Sequence, residues 1–69
     1  MENKVRQLRK DHGLNQKDLA DRVNVSSRTI IYLENEKYNP SLQLAYKIAR
    51  VFDRPIEEVF IFSEKDLLD

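Results

Sequence analysis

The sequence predicts an all-α fold, and three observations support this prediction. One glycine and two prolines in 69 residues leave few positions suited to the tight turns of a β-sheet. Apolar residues recur at spacings of three and four rather than two, as in helices with one buried face. The chain has no cysteine and one histidine, so neither a disulfide nor a cluster of metal ligands can hold the fold. We therefore expect one small helical domain with an apolar core and no bound metal or cofactor.

The first two predicted helices occupy the N-terminal third of the chain. The first runs over about residues 3–12, and Gly13 follows it where a left-handed C-terminal cap is needed. Asn15 and Asp18 have the spacing of a capping box, so a second helix begins after Asn15. This second helix carries Leu19, Ala20 and Val23 inward and ends near Arg22.

Three further helices follow. Residues 26–35 form the third, which a serine caps at its start. Pro40 disfavours helix immediately before it, and Ser41 can cap the fourth helix, which has the most apolar face of the chain and extends to about Phe52. Pro55 is suited to the first turn of a short fifth helix.

The segment 16–33 has the layout of a helix-turn-helix, with a short helix, a tight turn and a second helix whose apolar face is narrow. Ala20 lies where the two helices would cross closely, and its small side chain allows the backbones to approach. The other face of the second of these helices is not needed by the core and could enter a major groove. This face carries Ser27, Arg28, Ile31 and Tyr32.

Charge is distributed unevenly along the chain, although the net charge is zero. Residues 1–50 contain ten Lys/Arg and six Asp/Glu, whereas residues 51–69 contain two and six. Charges of this kind often do no more than solvate a surface, so their sign alone does not identify a partner. We expect a basic domain over residues 1–62 and an acidic tail over residues 63–69.

Almost the whole chain, from about Val5 to Phe60, resembles the phage-repressor-like family of Cro and XRE type regulators. The resemblance lies in the segments HGLNQKDLADRVNVSSRTIIYLEN, KYNPSLQLAYKIARVF and PIEEVF. It implies a five-helix bundle whose helix 26–35 enters the major groove of double-stranded DNA. It further implies a transcriptional regulator, most simply a repressor, that binds pseudo-palindromic operators as a homodimer.

The resemblance also implies which residues contact DNA. Gln16 matches a glutamine that contacts a phosphate and braces the recognition helix, although its polarity also suits a helix start. Arg28 stands where the family often has a base-contacting glutamine, and an arginine can bind guanine O6 and N7 bidentately. The alternative is that Arg28 is exposed and contacts no base. The other expected DNA-facing residues are Lys17, Ser26, Ser27, Thr29, Ile31, Tyr32, Lys37, Tyr38 and Asn39.

Other positions match or depart from the family pattern in ways that affect structure. Arg9 and Glu34 match an ion pair that joins the first helix to the end of the third. Asn24 stands where glycine is common, and asparagine tolerates a positive φ. Glu36 also replaces a frequent glycine and brings negative charge toward the DNA. Ile31 replaces a commonly polar residue, and it either contacts a thymine methyl or is simply an exposed apolar side chain.

Two other classes of function are possible. Catalysis is not expected, because His12 and the carboxylates are accompanied by no nucleophile, metal spacing or glycine-rich phosphate loop. A protein-binding module, either an antitoxin or a coactivator-like adaptor, would suit the zero net charge and the acidic tail. No apolar stretch approaches a membrane span and no signal peptide is evident, so we expect a cytoplasmic protein without a small-molecule substrate.

The end of the chain predicts a dimer interface. Ile61 and Phe62 extend the apolar run beyond the last helix, where a small domain has little core left to cover them. We expect this pair to form a short strand that pairs with its symmetry mate. The alternative is that Phe60 and Phe62 fold back onto their own bundle.

Overall fold

A computed structural model describes residues 1–67 of the chain. The first five helices are those that the sequence predicts, and the sixth is a single turn inside the expected acidic tail. None of the helices in this part of the chain is long and apolar enough to cross a membrane. The helices are α1 (Val5–Asp11), α2 (Gln16–Val23), α3 (Ser27–Glu34), α4 (Leu42–Val51), α5 (Ile56–Val59) and α6 (Glu64–Leu67).

Side-chain caps determine where three of these helices begin. The side chain of Asn15 accepts the amide of Asp18 at 2.7 Å, and the carboxylate of Asp18 accepts the amide of Asn15 at 3.0 Å, which confirms the capping box of α2. Ser26 and Ser41 each accept an amide three residues further on and so cap α3 and α4. Pro55 is itself the N-cap of α5 rather than a residue of its first turn, which corrects the prediction by one position.

The core receives side chains from α1 to α5, and the apolar face that the sequence predicts for α4 is buried in it. Leu44, Ala45, Ile48 and Ala49 of this helix are all buried. The small side chain of Ala20 is 1% exposed on α2, which packs against both α3 and α4. A close approach of these helices is therefore possible, and it fixes the orientation of α3 relative to the rest of the bundle.

Within residues 1–67, four residues have a left-handed backbone. Gly13 has φ 69° after α1, and Asn24 has φ 61° after α2, as the sequence predicts for both. Glu36 has φ 62° and Asp53 has φ 56°. A residue with a Cβ is strained in this region by about 1 to 2 kcal/mol, and asparagine tolerates it best. The left-handed conformation of Glu36 gives a physical reason for the glycine that is frequent at this position in the family it resembles.

The N-terminal segment is extended rather than helical, so α1 begins two residues later than predicted. Asn3 forms an antiparallel bridge with Phe60, and its side-chain amide donates to the carbonyl of Leu33 at 2.9 Å. The amide of Lys4 donates to the carbonyl of Val59 at 2.8 Å. These are tertiary contacts, which local helix propensity does not anticipate.

Candidate nucleic-acid interface

The outer face of α3 is the candidate for contact with DNA. Arg28, Ile31 and Tyr32 lie on this face, and Ile31 and Tyr32 remain 37% and 48% exposed. Ile30 and Leu33 on the opposite face are completely buried and hold the helix on the bundle. An α-helix with its side chains is about 10 to 12 Å in diameter, which suits the major groove of B-DNA, about 12 Å wide.

The first turn of α3 is fixed by its own side chains. The hydroxyl of Ser26 accepts the amide of Thr29 at 3.3 Å and lies 3.1 Å from the Thr29 hydroxyl. Ser27 and Thr29 are half-buried, whereas Arg28 between them is exposed. The hydrogen bonds between Ser26 and Thr29 therefore stabilise the start of α3. Arg28 takes no part in them and is the side chain of this turn most free to reach a base.

A buried polar cluster joins α1, α2 and the end of α3. Arg9 binds Glu34 bidentately, with Nε 2.6 Å from Oε2 and Nη2 3.1 Å from Oε1. The amide of Gln16 donates to the same Oε1 at 3.1 Å. Arg9 also donates from Nη1 to the carbonyl of Leu14 at 2.9 Å. The carboxylate of Glu34, which is completely buried, thus orients both the recognition helix and Gln16.

The charges of this cluster stabilise one another. Burial alone raises the pKa of Glu34, but hydrogen bonds from Arg9 and Gln16 and the nearby charges of Arg9 and Arg6 outweigh burial. The pKa of Glu34 therefore lies below its ordinary value, and the hydrogen bond to Glu34 raises the pKa of Arg9. The carboxylate remains ionised at neutral pH.

Arg6 belongs to this cluster although the sequence did not single it out. Its Nε lies 3.6 Å from Glu34 Oε1, and its Nη2 donates to Asn35 Oδ1 at 2.8 Å. The side chain is 52% exposed, so it places a positive charge at the surface beside the end of α3. The available signal was its spacing of three from Arg9, which puts both arginines on one face of α1.

The loop after α3 presents three polar side chains to solvent. Lys37, Tyr38 and Asn39 are exposed, and the amide of Lys37 donates to the carbonyl of Tyr32 at 2.9 Å. This bond and the left-handed Glu36 turn the chain away from the helix end. The loop therefore has a fixed position next to α3 and carries the negative charge of Glu36 beside the positive charge of Lys37.

Lys17 in the first turn of α2 is exposed and forms an ion pair with Asp21 at 3.2 Å. Exposed pairs of this kind contribute at most about 1 kcal/mol. Lys17 can therefore exchange this carboxylate for a phosphate at little cost.

The segment at the end of the chain, where the sequence predicts a strand, pairs with the N-terminal segment of the same chain. The amide of Ile61 donates to the carbonyl of Glu2 at 2.9 Å. The N-terminal segment reaches this edge without the entropy cost of association, so it occupies these backbone groups first. Phe60 folds back onto the bundle and is 1% exposed, whereas Phe62 remains 51% exposed. Phe62 is therefore the aromatic side chain that this end of the chain leaves exposed to a partner.

Known proteins resemble this chain over nearly all of its length. A family model described as "Helix-turn-helix" matches residues 5–59. An uncharacterized HTH-type transcriptional regulator of Archaeoglobus fulgidus is 51% identical over 67 residues, which cover 97% of this chain and 96% of the relative. The transcriptional repressor RstR of the cryptic phage CTXphi, from Vibrio cholerae, is 31% identical over 64 residues, which cover 93% of this chain and 58% of RstR.

The fold is also similar to that of a solved structure. The N-terminal DNA-binding domain of SinR from Bacillus subtilis superposes with a TM-score of 0.72 at 27% identity, and the match covers 78% of this chain and 80% of that domain. The region matched by the family model contains α1 to α5 and therefore the whole of the surface built around α3.

Proposed function

This chain belongs to the helix-turn-helix family of transcriptional regulators, and we propose that it is a repressor that binds a specific site in double-stranded DNA. The observation that carries the proposal is the exposed face of α3, held rigidly by completely buried residues on its other side. In this mode α3 lies in the major groove. Arg28 binds guanine O6 and N7, and Ile31 contacts a thymine methyl.

Phosphate contacts on both sides of α3 fix its depth in the groove. A glutamine amide has two N–H donors, and Gln16 gives one to Glu34, so the other is available to a phosphate at the start of α2. Lys37 in the loop and Lys17 on α2 add positive charge. We also assign a phosphate contact to Arg6, because its guanidinium is half exposed beside the same cluster. Such contacts position the helix without selecting a sequence.

Two copies acting together would supply the affinity that one small domain lacks. We propose a homodimer on a pseudo-palindromic operator, with half-sites separated by about 34 Å. Residues 1–62 form the DNA-binding domain in this proposal, Ile61 and Phe62 contribute to the dimer interface, and residues 63–69 form a separate acidic tail. The protein acts in the cytoplasm on the chromosome and catalyses no reaction.

The test is selection of bound sequences from a random pool of duplex DNA, followed by affinity measurements on the best site. We expect a palindromic consensus and an affinity that falls with salt, since bound cations release counterions from phosphates. Arg28→Ala should weaken binding to the best site by about 1 to 3 kcal/mol and relax the preference at one position of each half-site. Arg54→Ala, which removes an exposed arginine outside α3, is the matched control and should have no effect.

The outcomes separate the function from the role of Arg28. A pool that yields no consensus sequence would overturn the proposal of specific DNA binding. A clear consensus that Arg28→Ala leaves unchanged in affinity and preference would remove only Arg28 from base recognition.

A further inference from the structure

A groove between the C-terminal ends of α2 and α4 has no role in the proposed DNA contact. Its volume is about 430 Å³, and no residue of α3 lines it. It is lined by Arg22 and Val23 at the end of α2 and by Tyr46, Lys47, Arg50 and Val51 on α4.

The chemistry of this groove combines an apolar floor with a cationic rim. Val23 is 2% exposed and lies at the base. Arg50 lies over the ring of Tyr46, 5.8 Å from its centre, and donates from Nη1 to the tyrosine hydroxyl at 3.1 Å. Among the ion pairs of residues 1–67, none involves Arg22, Lys47 or Arg50. The groove therefore suits a segment that carries an apolar side chain next to carboxylates.

The chain itself contains such a segment at its C-terminal end. Phe62 is 51% exposed, and the backbone beside it is already paired with the N-terminal segment. Glu64 and Asp66 follow within one turn and are both exposed, and the carboxylate of Asp66 accepts the amide of Ser63 at 2.9 Å and its hydroxyl at 3.1 Å. The aromatic side chain of this segment suits the apolar floor of the groove, and the carboxylates that follow it suit the cationic rim.

We propose that the groove between α2 and α4 receives the segment 62–66 of a second copy of this chain. The ring of Phe62 packs on Val23 and Val51, and the carboxylates of Glu64 and Asp66 face Lys47 and Arg50. This inference rests on the proposed homodimer and names the surface that forms it.

Two-fold symmetry makes this contact reciprocal, because each copy offers both a groove and a C-terminal segment. One such contact alone is too small for a stable dimer, which buries at least about 1,200 Å² in total. The paired arrangement doubles the buried area, and α3 contributes no residue to the groove. It also brings the acidic end of each chain onto the basic part of the other, consistent with the opposite charges of residues 1–50 and 51–69.

The experiment is a charge exchange in the full-length chain, with the dimer dissociation constant measured by analytical ultracentrifugation. The groove variant is Lys47→Glu with Arg50→Glu, and the tail variant is Glu64→Lys with Asp66→Lys. We expect each to raise the dissociation constant about tenfold or more through like-charge repulsion, and their combination to restore it to within about threefold of wild type. Lys4→Glu with Lys10→Glu, two exposed cations outside the groove, is the matched control.

The results distinguish failure of the groove from failure of the dimer. A wild-type chain that is monomeric at tens of micromolar would overturn the dimer and this inference together, and would leave DNA recognition by α3 as a separate question. A wild-type dimer that Phe62→Ser weakens but the groove variant does not would overturn the groove alone. If the groove variant and the tail variant each weaken the dimer but their combination does not restore it, the proposed contact between tail and groove would also be overturned.

Folding of each variant is checked by circular dichroism. If the glutamate pair in the groove prevents folding, Lys47→Gln with Arg50→Gln replaces it. This milder variant should still weaken the dimer several-fold, and an unchanged dissociation constant would count against the groove.

Discussion

Replacing Arg9 by methionine should destabilise the protein strongly, because it leaves a buried carboxylate without its main partner. The side chain of Glu34 is completely buried, and Arg9 supplies two of its hydrogen bonds, at 2.6 and 3.1 Å. Methionine retains most of the apolar volume of the arginine stem, so the change tests charge more than packing. The carbonyl of Leu14 also loses the donor that Arg9 provides at 2.9 Å.

The magnitude follows from the burial of the pair. Breaking a buried ion pair by removing one partner costs about 3 to 5 kcal/mol. We expect a loss of about 3 kcal/mol for Arg9→Met, because Gln16 and Arg6 still face Glu34. A folded chain of 69 residues has a free energy of unfolding of roughly 3.5 to 10 kcal/mol, so much of the stability would disappear. The melting temperature should fall by roughly 12 to 24 °C.

Urea unfolding followed by circular dichroism measures this loss, with two comparison variants. Arg54→Met removes an arginine whose ion pair with Glu58 is half exposed, so it should change the free energy of unfolding by no more than about 0.5 kcal/mol. The double variant Arg9→Met with Glu34→Leu removes the whole pair and should recover most of the loss. A loss for Arg9→Met as small as that for Arg54→Met would refute the argument.

The dependence on pH gives a second and sharper criterion. In the wild type the pKa of Glu34 lies below its ordinary value of 4.5, so its contribution to stability is present above pH 4.5 and is lost as the pH falls below it. In Arg9→Met, burial is no longer outweighed and should raise the pKa of Glu34. The free energy of unfolding of the variant should therefore rise as the pH is lowered from 7 toward 4.5. In the wild type, by contrast, the contribution of Glu34 is lost as the pH falls below 4.5. A variant that shows no such gain would contradict the assigned role of Arg9.

Three further predictions concern the turns and the loop. Asn24→Gly should change the free energy of unfolding little, whereas Asn24→Val should lower it by about 1 to 2 kcal/mol, and equal melting temperatures would contradict the left-handed turn. Glu36→Gly should raise stability and DNA affinity together, whereas Glu36→Gln should raise only affinity; the reverse pattern would argue against strain at φ 62°. Lys37→Ala should reduce the salt dependence of DNA binding by about one unit of slope without changing sequence preference, and an unchanged slope would place Lys37 away from phosphate.

Through the buried ion pair, we expect DNA specificity and stability to be coupled in this small domain. Glu34 holds the end of α3 to α1 through Arg9 and holds the start of α2 through Gln16. A change in this cluster would therefore alter the orientation of the proposed recognition helix as well as the free energy of folding. Base preference measured for Arg9→Met with Glu34→Leu would separate these effects, since that variant is expected to be folded.

The sequence alone determined the features that depend on neighbouring residues. Capping by Asn15, Ser26 and Ser41 is a contact over three residues, and the left-handed conformations of Gly13 and Asn24 depend on local sterics. The helical apolar spacing likewise predicted the buried apolar face of α4. The family resemblance pointed to Arg9 and Glu34 as a pair, which spacing in the sequence could not have shown.

Only the tertiary structure decided the features that depend on residues far apart in the chain. The sequence placed Asn3 in a helix, yet Asn3 bridges to Phe60, and beside it the amide of Ile61 donates to the carbonyl of Glu2. The spacing of Arg6 from Arg9 put both on one face of α1 but did not show that Arg6 faces Glu34. No local pattern predicted that Arg22 meets Lys47 and Arg50 around one groove. Helix caps and turns are selected by interactions within a few residues, whereas these contacts arise only when packing of the bundle brings distant segments together.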